Sequence, residues 1–232
     1  MNAPRIDAVA FDLDGTLVDT APGVTCALNG ALARASLHGF DVITIRGWIG
    51  GGPDALVQRA LKALCLDDVD RGQLASVLRR DFDALTLEAP LADGAAFDGI
   101  DELLGLLTPR YPIVVVTNKP TELARAVLND AGLMRHVKAV FGADLLAQRK
   151  PAPALLHQAL AHLRVAPERL LMVGDAAFDM QAAHAAGSAS AWARWGYAPE
   201  PPKPMPLWTL DAPLDLLQWL HGAAAAIPLR QP

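Results

Sequence analysis

The stretch FDLDGTLVDT, residues 11–20, decides how the rest of the chain is read. It follows a short apolar run, Ile6 to Phe11, and that run stops at Asp12. Two carboxylates, Asp12 and Asp14, then stand two residues apart where a strand would end. Gly15 follows and permits a tight turn that a Cβ would obstruct. Asp and Gly are common in turns of any kind, so the Asp-x-Asp-Gly core alone suits a capped turn as well as a reactive site. The full ten-residue string after an apolar strand is far more specific.

Working outward, further apolar runs rich in β-branched residues recur. Ile113 to Val116 is stopped by Thr117, and Leu170 to Val173 is stopped by Gly174. Weaker candidates are Ala139 to Phe141, Ser188 to Ala193 and Trp208 to Leu210. Continuous apolar runs, rather than alternating ones, suit parallel strands buried on both faces. Helical stripes separate them: Leu123, Ala124, Val127, Leu128 and Ala131; Leu155, Leu156, Ala159, Leu160 and Leu163; and Leu214, Leu217 and Leu220 after Pro213. The alternation predicts an α/β fold, a doubly wound parallel sheet.

One segment breaks the alternation. From about Pro22 to Leu87 there are helical stripes and no convincing strand: Val24, Ala27, Leu28, Ala31 and Ala35; Leu56, Val57, Ala60, Leu61 and Leu64; Leu74, Val77, Leu78, Phe82 and Leu85. The return hinge is expected in Leu87 to Phe97, which holds Pro90 and the Asp93-Gly94 turn signal. The predicted division is a core of residues 1–19 and 91–232 with an inserted α-helical module of residues 20–90. Pro199 to Pro206 reads as a surface loop.

Composition narrows the function. Apolar residues make up 52% of the 232, enough for a sizeable core and too many for a disordered chain. The net charge is −5 and no dense basic patch occurs, so nothing favours nucleic acid. An anionic substrate would therefore need a local cluster of donors. No apolar run is long enough to span a bilayer and no signal peptide is visible, so a cytoplasmic protein with no membrane partner is expected. Cys26 and Cys65 lack metal-ligand spacing and are expected to be buried thiols in a reducing compartment. The run Ala223 to Ile227 is expected to fray. A monomer or homodimer is expected.

Ligands of doubly wound sheets bind at the carboxyl ends of the strands. The polar residues that stop the strands, Asp12 and Asp14, Thr117 and Asn118, and Asp175, should therefore converge. Each also has a plain structural role open to it: Thr117 as a turn residue, Lys150 as a solvated loop lysine, Asp175 as a helix cap, Asp179 as a first-turn acid. Lys119 is expected to be solvated.

The first string resembles the first motif of the haloacid dehalogenase superfamily. The remaining motifs follow in order: VVVTNKP (Val114 to Pro120), Arg149-Lys150-Pro151, and VGDAAFD (Val173 to Asp179). The resemblance spans Ala8 to about Tyr197. It implies a Mg²⁺-dependent phosphatase acting on a small phosphoester, with Asp12 as nucleophile through an aspartyl-phosphate and Asp14 as general acid and base. It implies metal ligation by the Asp12 carboxylate, the Asp14 backbone carbonyl and the Asp175 carboxylate, with Asp179 behind them. Thr117, Asn118 and Lys150 would hold the transferring phosphoryl group. The helical insertion resembles the smaller cap of this superfamily.

Within the superfamily, FDLDGTLVDTAPG, RGWIGGG (Arg46 to Gly52), VTNKP and WGYAPE (Trp195 to Glu200) resemble bacterial phosphoglycolate phosphatases. That makes Arg46 or its glycine-rich loop a candidate for the far end of the substrate; the plain alternative is a solvated arginine whose stem covers apolar surface. Ala176, Ala177 and Phe178 depart from the Ser, Arg and Asn usual there, and Phe97-Asp98-Gly99 replaces an aromatic-Pro-Gly turn. Alternatives are a phosphatase of another small metabolite, such as a sugar phosphate, and a phosphate-binding pseudoenzyme. All three carboxylates that a pseudoenzyme tends to lose are present.

Overall fold

A computed structural model of the chain describes residues 5–65 and 68–225. The core sheet has six parallel strands: β1 (Ala8–Phe11), β4 (Ile113–Thr117), β5 (Ala139–Gly142), β6 (Leu170–Gly174), β7 (Ala189–Ala193) and β8 (Trp208–Leu210). Their spatial order is β5-β4-β1-β6-β7-β8. The order reverses at β1, whose neighbours are β4 on one side and β6 on the other. Such a reversal opens a crevice at the strands' carboxyl ends, and this is where ligands sit in doubly wound sheets. Asp12 is the first residue past β1 and so stands at that crevice.

The strands are apolar on both faces because helices cover both faces. Val9 and Phe11, Ile113 and Val115, and Leu171 and Val173 point into one cluster, with α5 (Ile100–Leu107), α6 (Thr121–Asp130) and α9 (Asp215–Ala225). Ala8 and Ala10, Val114 and Val116, and Leu170 and Met172 point into the other, with α7 (Ala154–Leu163) and α8 (Ala177–Ala186). The period of two along each strand sorts these side chains. The fold class is as the apolar runs predict: α/β, doubly wound and parallel.

The helical segment leaves the core through β2 (Val18–Asp19) and returns through β3 (Ala95–Ala96), which pair antiparallel as a short stem. The stem carries no apolar signal and was not legible in the sequence. Between the two strands lie α1 (Ala21–Arg34), α2 (Val42–Arg46), α3 (Pro53–Ala63) and α4 (Asp68–Glu88). Their buried stripes form a third cluster around Leu28, Leu32, Ile45, Leu61, Leu78 and Phe82. Leu123 of α6 joins this cluster rather than the core's own. The helical module therefore leans on the second motif's helix.

Several expectations need correction. Both cysteines are free and exposed. Cys26 lies two residues from Val24, about 200° round the helix, so it faces away from the buried stripe. Of the predicted stripes, Val77 and Leu214 are exposed, while Leu78 is buried as expected and Leu216, outside the predicted stripe, is buried as well. The tail expected to fray from Ala223 is helical through Ala225, and its remainder, residues 226–227, lies outside the described residues. Among the described residues no helix is long and apolar enough to cross a membrane.

Gly142 ends β5 against the turn that carries Thr117 to Thr121. A Cβ there would lie 2.3 Å from the Thr121 backbone nitrogen and 2.6 Å from the Lys119 carbonyl oxygen. Both obstacles are backbone, so the turn itself would have to shift. Gly142→Ala should lower stability by roughly 1–3 kcal/mol, the usual cost of overpacking. Urea denaturation would register this as a lower midpoint at unchanged slope. An unchanged midpoint would show that the turn yields freely.

Candidate active site

At the crevice, one ammonium holds the site together. Lys150 is buried, and its Nζ donates to the Val116 carbonyl at 2.9 Å and to Asp179 Oδ1 at 2.6 Å, and lies 2.8 Å from Asp12 Oδ1. The ammonium thus gives two hydrogen bonds, to β4 and to the first turn of α8, and forms an ion pair with the residue past β1, whose Oδ1 is buried and accepts no hydrogen bond. Burial works against the Lys150 charge, but the Asp12 and Asp179 carboxylates outweigh it and raise its pKa. Lysine 150 is therefore not a solvated loop side chain.

The carboxylates are differently occupied. Asp179 accepts from Lys150 on one oxygen and from the Ala176 N–H at 3.0 Å on the other. It is Asp179, not Asp175, that caps α8. Asp175 accepts from the Tyr197 N–H at 2.8 Å and from Thr16 Oγ1 at 3.3 Å, while its carbonyl accepts from Trp192 Nε1 at 3.1 Å. Asp14 accepts from Thr20 Oγ1 and from Lys119 Nζ, each at 2.6 Å. Thr20 stands at the N-cap of α1 but its hydroxyl serves Asp14 instead of the helix.

Glycines allow this crowding at two places. Gly15 has φ +82°, and a Cβ there would lie 2.6 Å from Asp175 Oδ2. At Gly196 a Cβ would lie 2.2 Å from Asp175 Cβ. The first loop and the late Trp195-Gly196-Tyr197 loop thus close on Asp175 from two sides.

Asp12, Asp175 and Asp179 each present an oxygen, all within 4.8 Å of one another. Burial raises the Asp12 pKa to about 7, with Lys150 opposing and Asp179 and Asp14 adding. Burial raises Asp175 to about 8, with Asp179 and Asp12 adding to it. Three buried carboxylates face one ammonium, and Asp179 is already taken by it. Asp12 Oδ1 is buried and accepts no hydrogen bond, and with the Asp175 carboxylate it forms a hard, anionic donor set, which fits a divalent cation such as Mg²⁺.

Above Asp12 and Asp14 a pocket opens between core and helical module. Thr117, Asn118 and Lys119 line it from the core, and Val24, Ile49, Gly50, Gly52, Pro53, Leu56 and Phe82 from the other side. Thr117 is buried, and its Oγ1 accepts from the Lys119 N–H at 3.2 Å. Asn118 is fully engaged: its Oδ1 accepts from the Lys150 N–H at 2.7 Å, and its Nδ2 donates to the Lys150 carbonyl at 3.1 Å and the Gly50 carbonyl at 2.8 Å. The two modules are also tied by Asp54 of α3, which pairs with Arg149 of the core and with Arg79 of α4. Phe178 stands under Gly50, 3.9 Å from where a Cβ would sit, so the departure in the fourth motif places a ring against the glycine loop.

Arg46 and Lys119 are placed as follows. Arg46 is exposed and lines a neighbouring cleft with Tyr197 and Arg194, not the pocket over Asp12. Ile45 is the residue of α2 that turns inward, and Arg46 follows it about 100° further round. Lys119, expected in solvent, is buried on Asp14. Thr16, Trp192 and Tyr197 were not singled out, because only tertiary contact brings them to Asp175.

A family model described as haloacid dehalogenase-like hydrolase matches residues 6–187. Over 198 residues the chain is 42% identical to a phosphoglycolate phosphatase of Rhodospirillum rubrum, covering 84% of this chain and 82% of that one. Over 208 residues it is 34% identical to a phosphoglycolate phosphatase of Escherichia coli K12, covering 83% and 82%. A crystal structure described as a predicted phosphoglycolate phosphatase from Haemophilus somnus superposes with TM-score 0.83 at 30% identity, covering 92% of this chain and 97% of that one.

Asn118 is the prediction that this geometry generates. Asn118→Ala would leave the buried Lys150 N–H and the Gly50 carbonyl without their partner. The expected loss is about 1–3 kcal/mol, the cost of unmet buried polar groups. For a chain of this size that lowers Tm by roughly 2–4 °C per kcal/mol. A melting curve identical to wild type would refute the bridging role.

Proposed function

Because the chain belongs to the haloacid dehalogenase-like hydrolase family, we propose that it is a phosphatase hydrolysing a small phosphomonoester, with 2-phosphoglycolate as its substrate. The observation that carries this reading is the buried Asp12, Asp175 and Lys150 at the switch point, with Asp14 half-buried beside them, joined to 34–42% identity with phosphoglycolate phosphatases over most of the chain. Residues 1–19 and 91–232 act as the catalytic core. Residues 20–90 act as a cap that excludes water from the pocket.

Asp12, at the end of β1, attacks phosphorus and forms an aspartyl-phosphate while the P–O bond to the leaving group breaks. Asp14, on the pocket wall, gives its proton to the leaving alkoxide and later takes one from the water that hydrolyses the intermediate. Lys150 balances charge on the phosphoryl oxygens, and Thr117 offers its hydroxyl to them. The Asp12 and Asp175 carboxylates and the Asp14 carbonyl would hold Mg²⁺, which would supply positive charge to offset that of the nucleophile and the ester. Asp179 holds Lys150 in place. The side chain of Asn118 positions Lys150 and Gly50, which leaves its backbone N–H for substrate.

Asp12→Asn should preserve the fold and lower kcat by about 10⁴-fold or more, since an amide oxygen is a poor nucleophile. Steady-state turnover of phosphoglycolate by pure protein checks this, and a tenth of wild-type kcat would rule the assignment out. Exhaustive chelation should abolish activity and Mg²⁺ restore it. Ca²⁺ should inhibit, because it takes more ligands at longer distances and draws both Asp12 oxygens to itself. Full turnover after chelation would refute the metal requirement.

A further inference from the structure

We propose that Lys119 is the specificity residue of the pocket, binding the carboxylate of a substrate whose carboxylate lies two bonds from the ester oxygen. This rests on the phosphatase reading above and names which group on the substrate the pocket selects.

The cations near the site are not equally free. Lys150 contacts the Val116 carbonyl, Asp179 and Asp12, Arg149 is paired with Asp54, neither lines the pocket, and Arg46 lies in another cleft. Lys119 lines the pocket itself and is 4% exposed. Among the described residues its Nζ has one hydrogen-bond partner, Asp14 Oδ1 at 2.6 Å. An ammonium carries three donors, so two remain for a ligand. A buried ammonium with donors to spare, in a pocket whose helical-module wall includes Val24, Leu56 and Phe82, selects an anion.

Position then selects the anion. Asp14 must reach the ester oxygen to protonate it. Lys119 stands one hydrogen bond from Asp14, so whatever lies next to the ester oxygen falls within its reach. In a 2-phospho-carboxylate that neighbour is a CH₂ bearing the carboxylate. A sugar phosphate would bring hydroxyls there, and the apolar wall has no side-chain partner for them.

The test compares ligands that differ only in the carboxylate. For turnover these are phosphoglycolate and ethyl phosphate. For binding without turnover they are 3-phosphonopropionate and propylphosphonate, titrated with Mg²⁺ present. Wild type should favour the carboxylate in both pairs by roughly 10- to 100-fold, the worth of a charge-assisted hydrogen bond. K119M and K119Q should each erase that preference. Survival of the preference in the variants would overturn the proposal and leave Lys119 as a holder of Asp14 alone, as would equal losses on both esters. If the variants melt early, the wild-type binding pair still decides, since no preference there overturns it. Hydrolysis of neither ester by wild type would instead defeat the proposed function, with the binding pair still testing Lys119.

Discussion

The buried ion pairs of Lys150 are the constraint on which the rest of this structure depends. Three carboxylates sit within reach of one another beneath the surface, where charge is costly to leave unpaired. One ammonium joins Asp12, Asp179 and the Val116 carbonyl, and so fixes the ends of β1 and β4 relative to the start of α8. Removing that ammonium would leave the carboxylates facing each other, a fault of order 3–5 kcal/mol. The sheet order makes the cluster possible, since β1 is the strand where chain direction across the sheet reverses. The same arrangement leaves Asp12 and Asp175 short of positive charge, and this is what suits the crevice to a cation and then to an anionic ester.

The helical module is held to this cluster by few but specific ties. Asn118 grips Lys150 on one side and the Gly50 carbonyl on the other, so the position of the glycine loop and of the ammonium are set by one amide. Asp54 adds an ion pair to Arg149, the residue next to Lys150. Leu123 adds an apolar tie, as a core-helix residue buried in the other module's cluster. Such sparse polar ties suit a surface that separates and re-forms, because each is replaced by water on opening.

Much of this was legible in the residues and some was not. Strand ends could be read because apolar runs stopped at polar residues, and β1, β4 and β6 carry Asp12, Thr117 and Asp175 in that way. Helical phase was less secure at α9, where Leu216 rather than Leu214 takes the buried position. Lys119 was misjudged because lysine is mostly a surface residue, and only its tertiary neighbour Asp14 makes burial tolerable. Thr16 reaches Asp175 from the first loop, Trp192 from β7 and Tyr197 from the loop after it, a convergence with no local periodicity to announce it. The β2–β3 stem was hidden for a similar reason, as two residues on each side leave no pattern.

The central claim is covalent chemistry at Asp12, and it can be observed directly. Wild-type protein turning over phosphoglycolate would be quenched in acid, treated with borohydride and digested for peptide mass spectrometry. Reduction of an acyl phosphate converts the aspartate that bore it into homoserine. The account predicts homoserine at position 12, dependent on substrate and Mg²⁺. Homoserine at position 14 instead, or an unmodified Asp12 in enzyme trapped during active turnover, would contradict it.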